Sequence, residues 1–269
     1  METALTIAGS DSGGGAGIQA DLKTFAAHGV FGTSAITAIT AQNTLGVLAV
    51  HALPPDLVAA QIDAVTSDLP PRAIKIGMLA NAAIVVAVAA RLRAFAAPVV
   101  LDTVMVAKGG ASLLDADAVD AIRRELIPIA AVVTPNVPEA EALTGLSIRS
   151  VAGLRDAAAR LVAAGARAAV VKGGHLEGPA VDILFDGQTF TELRAERVAT
   201  RHTHGTGCTF SAAIAARLAL GDPLLEAISC AKKFVSRAIR EHFFWPTPLG
   251  KIHALNHRIS EQDPQGGPA

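Results

Sequence analysis

Cysteine and net charge are both scarce in this sequence of 269 residues. The two cysteines, Cys208 and Cys230, are too few for a disulfide framework and lack the paired spacing of a zinc site. A reducing compartment is the default for such a chain, and we expect a cytoplasmic protein. The formal net charge of −1 argues against a nucleic-acid partner or an anionic membrane surface, because both select a basic excess.

Long hydrophobic runs are missing as well. The longest apolar stretch, residues 82–90, is far short of the roughly 20 residues that a membrane-spanning helix needs. The first residues lack the basic segment and apolar core of a signal peptide. We therefore expect neither a membrane span nor a signal peptide.

Apolar residues, in contrast, make up 51% of the chain, which is ample for a buried core. The length allows one large domain or two small ones, and neither a repeat nor a linker divides the sequence. We predict a single domain over residues 1–269, with the Gly/Pro-rich residues 262–269 as a frayed tail.

Short apolar or β-branched segments alternate with segments of helical periodicity. The segments predicted as strands are 5–9, 33–40, 73–78, 99–104, 131–134 and 168–172. The segments predicted as helices are 16–28, 55–65, 81–95, 117–126, 138–144, 150–164, 207–220 and 223–242. This alternation predicts an α/β fold with a central, mainly parallel sheet flanked by helices on both faces. Residues 181–186 and 189–193 predict a small hairpin at one edge.

Parallel α/β sheets bind ligands at the carboxyl ends of their strands, and three glycine-containing segments follow predicted strands. Residues 9–17 contain five glycines, which let backbone N–H groups approach a ligand or simply form a flexible turn. Lys108-Gly109-Gly110 and Lys172-Gly173-Gly174 each place a lysine after a strand. Each lysine is either a phosphate contact or a solvated turn residue.

The strongest local signal is the segment 204–209, His-Gly-Thr-Gly-Cys-Thr, at the start of a predicted helix. Free N–H groups and the helix dipole form a site for an anionic phosphate there. A helix N-terminus lowers the pKa of a cysteine, so Cys208 would act as a base or nucleophile. The alternative is a glycine turn with a small buried residue.

Asn136 and Glu139 lie three residues apart at another helix start. Their oxygens suit Mg²⁺, which usually keeps several of its waters. The same spacing is typical of a helix cap followed by an acidic first turn, and the residues alone favour that interpretation.

Seven blocks stand in a characteristic order: GSDSGGGAGIQADLKT, TAITAQNT, KIGML, LDTVMVAKGG, TPNVPEAEALTG, VVKGGH and HGTGCTFSAAIAA. Together they resemble the hydroxymethylpyrimidine/phosphomethylpyrimidine kinases of the ribokinase-like superfamily, over about residues 4–240. The resemblance implies a ribokinase-like fold and a kinase of thiamine biosynthesis. Such an enzyme phosphorylates 4-amino-5-hydroxymethyl-2-methylpyrimidine and then its monophosphate. The resemblance also implies ATP, Mg²⁺ and a homodimer, and leaves a monovalent-cation requirement open.

The resemblance assigns roles to individual positions. The catalytic set is Gly205, Thr206, Gly207, Cys208 and Lys172. The pyrimidine-binding set is Gly9, Asp21, Gln42, Met78 and Val104. The nucleotide-binding set is Lys172, Thr206 and Asn136, and the metal set is Asn136, Glu139 and Asp102.

This chain also departs from the family pattern at several positions. Thr103 stands where the family has Pro, and Gly13 stands where it has Ser. The segment 243–257 differs from the family ending, and it holds three of the chain's ten aromatic residues. These aromatics are predicted either to anchor the tail on the sheet or at a dimer contact, or to pack under the last helix.

Two other functions compete with this interpretation. Pyridoxal kinase is the nearest, and Gln42 is expected to discriminate against it. A carboxamide complements the adjacent donor and acceptor of a 4-aminopyrimidine edge, and pyridoxal lacks that pair. A non-catalytic nucleotide or vitamin sensor on the same fold is the second. A sensor would not turn over ATP with the free pyrimidine.

Overall fold

The computed structural model describes residues 1–105, 115–174, 176, 180–198, 200, 203–247 and 250–259. The predicted phosphate contact at Lys108-Gly109-Gly110 and the predicted frayed tail at 262–269 lie outside these residues. Within them, no helix is long and apolar enough to cross a membrane.

In the part of the chain that the structure describes, nine strands form the central sheet. In chain order they are β1 (Thr3–Asp11), β2 (Phe31–Gln42), β3 (Val47–Ala52), β4 (Ala73–Ile76), β5 (Val99–Leu101), β6 (Val132–Val133), β7 (Ala169–Val171), β8 (Ala180–Phe185) and β9 (Phe190–Ala195). Their order across the sheet is β3-β2-β1-β4-β5-β6-β7-β8-β9. Six neighbouring strands of this order pair in parallel, namely β2, β1, β4, β5, β6 and β7. Strand β3 pairs antiparallel with β2, β8 with β7, and β9 with β8. The predicted mainly parallel sheet with a hairpin at one edge is therefore confirmed.

The opposite edge strand, β3, was not predicted. Most of its side chains face solvent, including Leu48 and Val50. Because an edge strand of this kind buries neither face fully, it lacks the in-and-out alternation on which sequence prediction depends.

The described residues contain eight α-helices, which connect the strands or follow the last of them. They are α1 (Gly17–Ala27), α2 (Pro55–Asp68), α3 (Ala82–Leu92), α4 (Ala116–Ala121), α5 (Val137–Thr144), α6 (Val151–Ala163), α7 (Thr206–Ala219) and α8 (Leu224–Arg240). All eight predicted helices are present, with shifted ends. The helix predicted over 117–126 changes type half-way, since α4 is followed by a π-helix (Ile122–Leu126) and a 3-10 helix (Ile127–Ile129).

Helices cover both faces of the sheet, as predicted. On one face, side chains of α2, α3, α5 and α6 share a core with Leu5 and Ile7 of β1. On the other face, α1, α7 and α8 share a core with Ala4 of the same strand. Alternate residues of one strand thus enter two different cores, as a strand covered on both sides requires.

The C-terminal segment forms a separate hairpin of β10 (Phe243–Thr247) and β11 (Gly250–Ala254). Phe244 is 59% exposed and Trp245 is 50% exposed, so packing under the last helix is wrong for these two aromatics. The residues that follow the hairpin anchor the segment instead. Leu255 and Ile259 join the core of α7 and α8, and the Nε2 atom of buried His257 lies 2.9 Å from the Thr209 hydroxyl.

Candidate active site

A cavity of about 270 Å³ opens at the carboxyl ends of the parallel strands. Its lining includes the end of β1, residues that follow β4, β5, β6 and β7, and the first turn of α7. Twelve of the thirteen predicted site residues line it: Gly9, Gln42, Met78, Asp102, Val104, Asn136, Glu139, Lys172, Gly205, Thr206, Gly207 and Cys208. The sheet topology therefore brings together residues that are far apart in the sequence.

The predicted anion-binding segment at the start of α7 depends on a backbone contact that only glycine permits. Gly205 has a positive φ of 80°, and a Cβ atom added to it would lie 1.8 Å from the carbonyl oxygen of Gly15. Any side chain would push the two loops apart. The first turn of α7 and the glycine-rich loop that follows β1 therefore form adjacent walls of one cavity, with the free N–H groups of α7 at its edge.

The environment of Cys208 contradicts one expectation. Burial raises the pKa of the Cys208 thiol to about 11; the Lys75 charge opposes the shift, and the Asp21 and Asp102 charges add to it. The Gly17 N–H also donates to the sulfur and lowers its pKa. Burial still dominates, so the expected lowered pKa is wrong and the thiol keeps its proton at neutral pH.

Lys172 and Asp102 form an ion pair beside the first turn of α7. The Lys172 Nζ atom lies 3.2 Å from Asp102 Oδ1, and Ser211 Oγ donates to Asp102 Oδ2 over 3.2 Å. Burial works against the Lys172 charge, but Asp102 and Glu139 together raise the pKa of Lys172. The ammonium therefore stays charged next to the α7 N-terminus, as a phosphate contact requires.

Asn136 and Glu139 form the capping box of α5. The Glu139 N–H donates to Asn136 Oδ1 over 3.0 Å, and the Asn136 N–H donates to Glu139 Oε2 over 2.9 Å. The hydroxyl of Thr103, the departure from the family's Pro, also donates to Glu139 Oε2. The helix-cap interpretation is thus confirmed.

A hydrated metal ion also fits these residues. The cap and Thr103 use only Oε2 of Glu139, and Glu139 lines the cavity together with Asp102 and Asn136. Burial raises the pKa of Glu139 to about 7; Lys172 counteracts the shift and Asp102 adds to it. Among the described residues, no cluster of three or more His, Cys, Asp or Glu side chains could hold a metal. One or two carboxylates suffice for a magnesium ion that keeps its waters.

Asp21 is the predicted site residue that does not line the cavity. Its side chain is fully buried, and its Oδ2 atom accepts hydrogen bonds from the Thr6 hydroxyl at 2.6 Å and from Lys75 Nζ at 2.8 Å. Direct contact with a ligand is therefore wrong for Asp21. Its carboxylate instead holds Lys75, which does line the cavity.

Lys75 was missed by the sequence reasoning, although a signal was present. It is a lysine inside the buried strand β4, whose other residues are apolar. A buried lysine requires a charged partner, and Asp21 raises the pKa of Lys75 against the opposing effect of burial.

Asp11, Thr40 and His204 also line the cavity without having been predicted as site residues. Asp11 accepts hydrogen bonds from the backbone N–H groups of Gly13, Gly15 and Ala16, so it shapes the glycine-rich loop. Burial opposes its ionisation, but these bonds and the His204 ring lower the pKa of Asp11 overall. The position of Asp11 two residues before the run Gly13–Gly15 was the available signal.

The residues around this cavity stand in a sequence that matches a known family. The profile of the phosphomethylpyrimidine kinase family matches residues 11–253. The chain belongs to that family. As a phosphomethylpyrimidine kinase family member it is a phosphotransferase.

Two curated relatives and one solved structure illustrate the similarity. The hydroxymethylpyrimidine/phosphomethylpyrimidine kinase of Rhizobium meliloti is 56% identical over 241 residues, which cover 88% of this chain and 90% of that protein. The thiamine biosynthesis bifunctional protein ThiED of Geobacter sulfurreducens is 53% identical over 262 residues. The match covers 96% of this chain and 53% of ThiED, so the chain spans about half the length of that relative.

The solved structure is an ADP complex of Bacillus subtilis pyridoxal kinase. It has a TM-score of 0.87 and 41% sequence identity, covering 96% of this chain and 97% of that one. The expected ribokinase-like fold is thereby confirmed.

Proposed function

We propose that this family member uses ATP to phosphorylate 4-amino-5-hydroxymethyl-2-methylpyrimidine and then its monophosphate, giving the diphosphate needed for thiamine biosynthesis. The observation that carries the proposal is a single cavity with a carboxamide on one wall, Gln42, and a helix N-terminus on another, residues 205–208. An aminopyrimidine edge and a transferring phosphoryl group are the chemistries that these two walls complement.

At the acceptor side, Gln42 pairs with the amino group and ring nitrogen of the pyrimidine. Gly9, Met78 and Val104 form the apolar surroundings of the ring. Gly9 packs directly against Met78, because a Cβ added to Gly9 would lie 2.6 Å from Met78 Cε, so only glycine lets the two walls meet here without a shift of Met78.

At the phosphate side, phosphoryl transfer is mostly positioning and charge stabilisation. The N–H groups of Gly205, Gly207 and Cys208 donate to the transferring phosphoryl oxygens, whereas the Thr206 N–H already donates to the Thr203 carbonyl over 3.3 Å. Lys172 adds a positive charge beside them. These donors are oriented before the reaction, so little reorganisation is needed in the transition state.

Glu139, Asp102 and Asn136 would hold hydrated Mg²⁺ against the nucleotide phosphates. When bound, the ion neutralises charge on the nucleotide phosphates. The chain's own contribution is to fix Glu139 through the capping box and Thr103.

A coupled ADP-release assay with three rival acceptors tests the proposal. We expect turnover with the hydroxymethylpyrimidine and with its monophosphate, and a kcat/KM for pyridoxal lower by at least about 10²-fold, because pyridoxal leaves the Gln42 amide unpaired. Preference for pyridoxal would support the second candidate, a vitamin B6 kinase, which the similarity to the B. subtilis pyridoxal kinase favours. No turnover with any acceptor would leave a sensor.

We further propose a homodimer. Ile39, Leu45, Leu48 and Val50 of the β2–β3 edge expose apolar side chains, and a second copy would cover them. Sedimentation of Leu48→Lys against the wild type checks this: we expect loss of dimer, and an unchanged mass distribution would contradict an interface at this edge. The cytoplasmic location stays a prediction.

A further inference from the structure

The Gln42 carboxamide is held by two side chains, one on each of its polar atoms. Oε1 lies 3.1 Å from the Thr40 hydroxyl, and Nε2 lies 3.4 Å from His204 Nε2. The backbone of Gln42 is fixed separately, because its N–H donates to Ser12 Oγ over 2.8 Å and its carbonyl accepts from the same hydroxyl over 2.7 Å. The open question is therefore which atom of the side-chain amide, the oxygen or the nitrogen, faces Thr40 and which faces His204.

The Thr40 hydroxyl has one hydrogen, and the Ser10 carbonyl takes it. The distance from Thr40 Oγ1 to that carbonyl oxygen is 2.8 Å, and a carbonyl can only accept. The Thr40 hydroxyl therefore has no hydrogen left for Gln42 and can only accept a hydrogen bond from it. The amide atom that faces Thr40 must be a donor, which is the nitrogen.

The His204 ring gives the same answer independently. Its Nε2 atom lies 3.1 Å from Asp11 Oδ2, a buried carboxylate that can only accept while ionised. His204 Nε2 must therefore carry its hydrogen. An amide N–H₂ pointing at this N–H would be repelled, whereas the amide oxygen would share the hydrogen.

We propose that Asp11, His204 and Thr40 fix the Gln42 carboxamide with its oxygen towards His204 and its nitrogen towards Thr40. The oxygen and nitrogen of a carboxamide occupy nearly the same space, so the turned group keeps both contacts. His204 and Thr40 are then positioning residues for recognition of the acceptor. This inference rests on the proposed function and adds the direction in which the pyrimidine binds.

The orientation has a consequence for the reaction. The free lone pair of the oxygen and the second N–H of the nitrogen face the ligand, so the pyrimidine amino group lies on the His204 side and the ring nitrogen on the Thr40 side. In the pyrimidine the amino group lies between that ring nitrogen and the hydroxymethyl group. His204 directly precedes Gly205, so the hydroxymethyl group is directed to the anion-binding turn. The opposite amide orientation would turn it away.

The histidine tautomer tests the orientation without any substrate. We expect long-range ¹H–¹⁵N spectra of the histidine-labelled protein to show His204 protonated at Nε2, with the signals assigned by their loss in His204→Phe. A ring protonated only at Nδ1 would overturn the proposal, because Nε2 would then accept from the amide nitrogen.

A binding cycle tests the effect on recognition. Calorimetry with the hydroxymethylpyrimidine, in the absence of ATP, compares Thr40→Val, Thr40→Ser and His204→Phe in the wild-type and Gln42→Leu backgrounds. We expect Thr40→Val and His204→Phe each to weaken binding about 5- to 30-fold, and Thr40→Ser to restore it, because Ser keeps the hydroxyl. ADP affinity should change less than about twofold, since the nucleotide does not contact the amide.

In the Gln42→Leu background the Thr40 and His204 effects should disappear, because there is no amide left to orient. If the losses of affinity caused by the Thr40 and His204 substitutions add fully to the loss caused by Gln42→Leu, then Thr40 and His204 act directly on the ligand or on the fold, and the inference is overturned. If the wild type binds pyridoxal and not the pyrimidine, the proposed function fails, while the tautomer result still reports on the orientation by itself.

Discussion

At the scale of single residues, the fold changes the acid–base chemistry of Cys208 in the direction opposite to the one its position predicts. Burial raises the pKa of the thiol to about 11, although the residue stands at a helix N-terminus. Below that pKa the thiolate fraction rises tenfold for each pH unit. If Cys208 takes the proton of the hydroxymethyl group, phosphorylation of the alcohol should accelerate from pH 6.5 to 9. The monophosphate is already largely dianionic above its second pKa of about 6, so its phosphorylation should stay level above pH 7.

The measurement is kcat against pH for both acceptors, in the wild type and in Cys208→Ala. We expect the variant to lose about 10²-fold or more with the alcohol, to lose its pH dependence, and to lose much less with the monophosphate. Equal losses in the two steps, or a level profile for the alcohol in the wild type, would show that Cys208 only shapes the anion-binding turn.

The buried pair of Asp21 and Lys75 gives a stability prediction at the same scale. Asp21→Asn leaves the Lys75 ammonium buried without its carboxylate, which costs about 3–5 kcal/mol of unfolding free energy. The double variant Asp21→Asn/Lys75→Met removes both charges together, so it should recover most of that loss. Urea unfolding of the three proteins checks this. A double variant as unstable as Asp21→Asn would mean that the charges matter less than the shapes of the side chains.

At the scale of elements, helix α5 combines a structural and a chemical role in one glutamate. Glu139→Gln keeps the capping box, because a glutamine carbonyl also accepts from the Asn136 N–H. We expect an unchanged melting temperature together with a lower kcat and partial rescue at high Mg²⁺. The exposed Glu226→Gln at the start of α8 is the matched control. An unchanged kcat and an unchanged Mg²⁺ dependence would mean that Glu139 only caps helix α5 and does not hold the metal ion.

The helices and strands also show which structural features could be predicted from the sequence. Helices α3 and α6 begin where Asn81 and Ser150 stand as capping residues, and loops rich in glycine follow the strands that line the cavity. These features are local, so sequence patterns capture them. The partnership of Lys75 with Asp21 spans 54 residues, and that of His204 with Asp11 spans 193. Such pairs depend on the order of strands across the sheet, which local patterns do not contain.

At the scale of the whole molecule, His257 ties the C-terminal segment to the first turn of α7. Burial and, less strongly, the nearby Lys23 charge together lower the pKa of His257 to about 4. In the unfolded chain a histidine has a pKa of about 6.5, so between these values the unfolded state binds more protons. The stability that His257 contributes is therefore complete above pH 6.5 and is lost as the pH falls towards 4.

We expect the unfolding free energy of the wild type to fall with pH over this window more steeply than that of His257→Gln. The difference should be on the order of 3 kcal/mol at most. Urea titrations at pH 7, 6 and 5 measure it, with the exposed His51→Gln as a control that should follow the wild type. Parallel curves for the wild type and His257→Gln would show that the ring titrates alike in both states.

The contact of Gly205 with Gly15 also sets an order of events during synthesis. The glycine-rich loop leaves the ribosome early, together with β1, an interior strand of the sheet. Its partner turn belongs to the last quarter of the chain. A nascent chain that ends before residue 204 can pair its parallel strands, yet it has no His204 to meet Asp11, no anion-binding turn, and no α7 to complete the cover of the second face of the sheet. The binding cavity is thus completed only after the whole central sheet has been made, although α8 and the C-terminal hairpin follow it, and a chain that stops before the turn lacks one wall of the site.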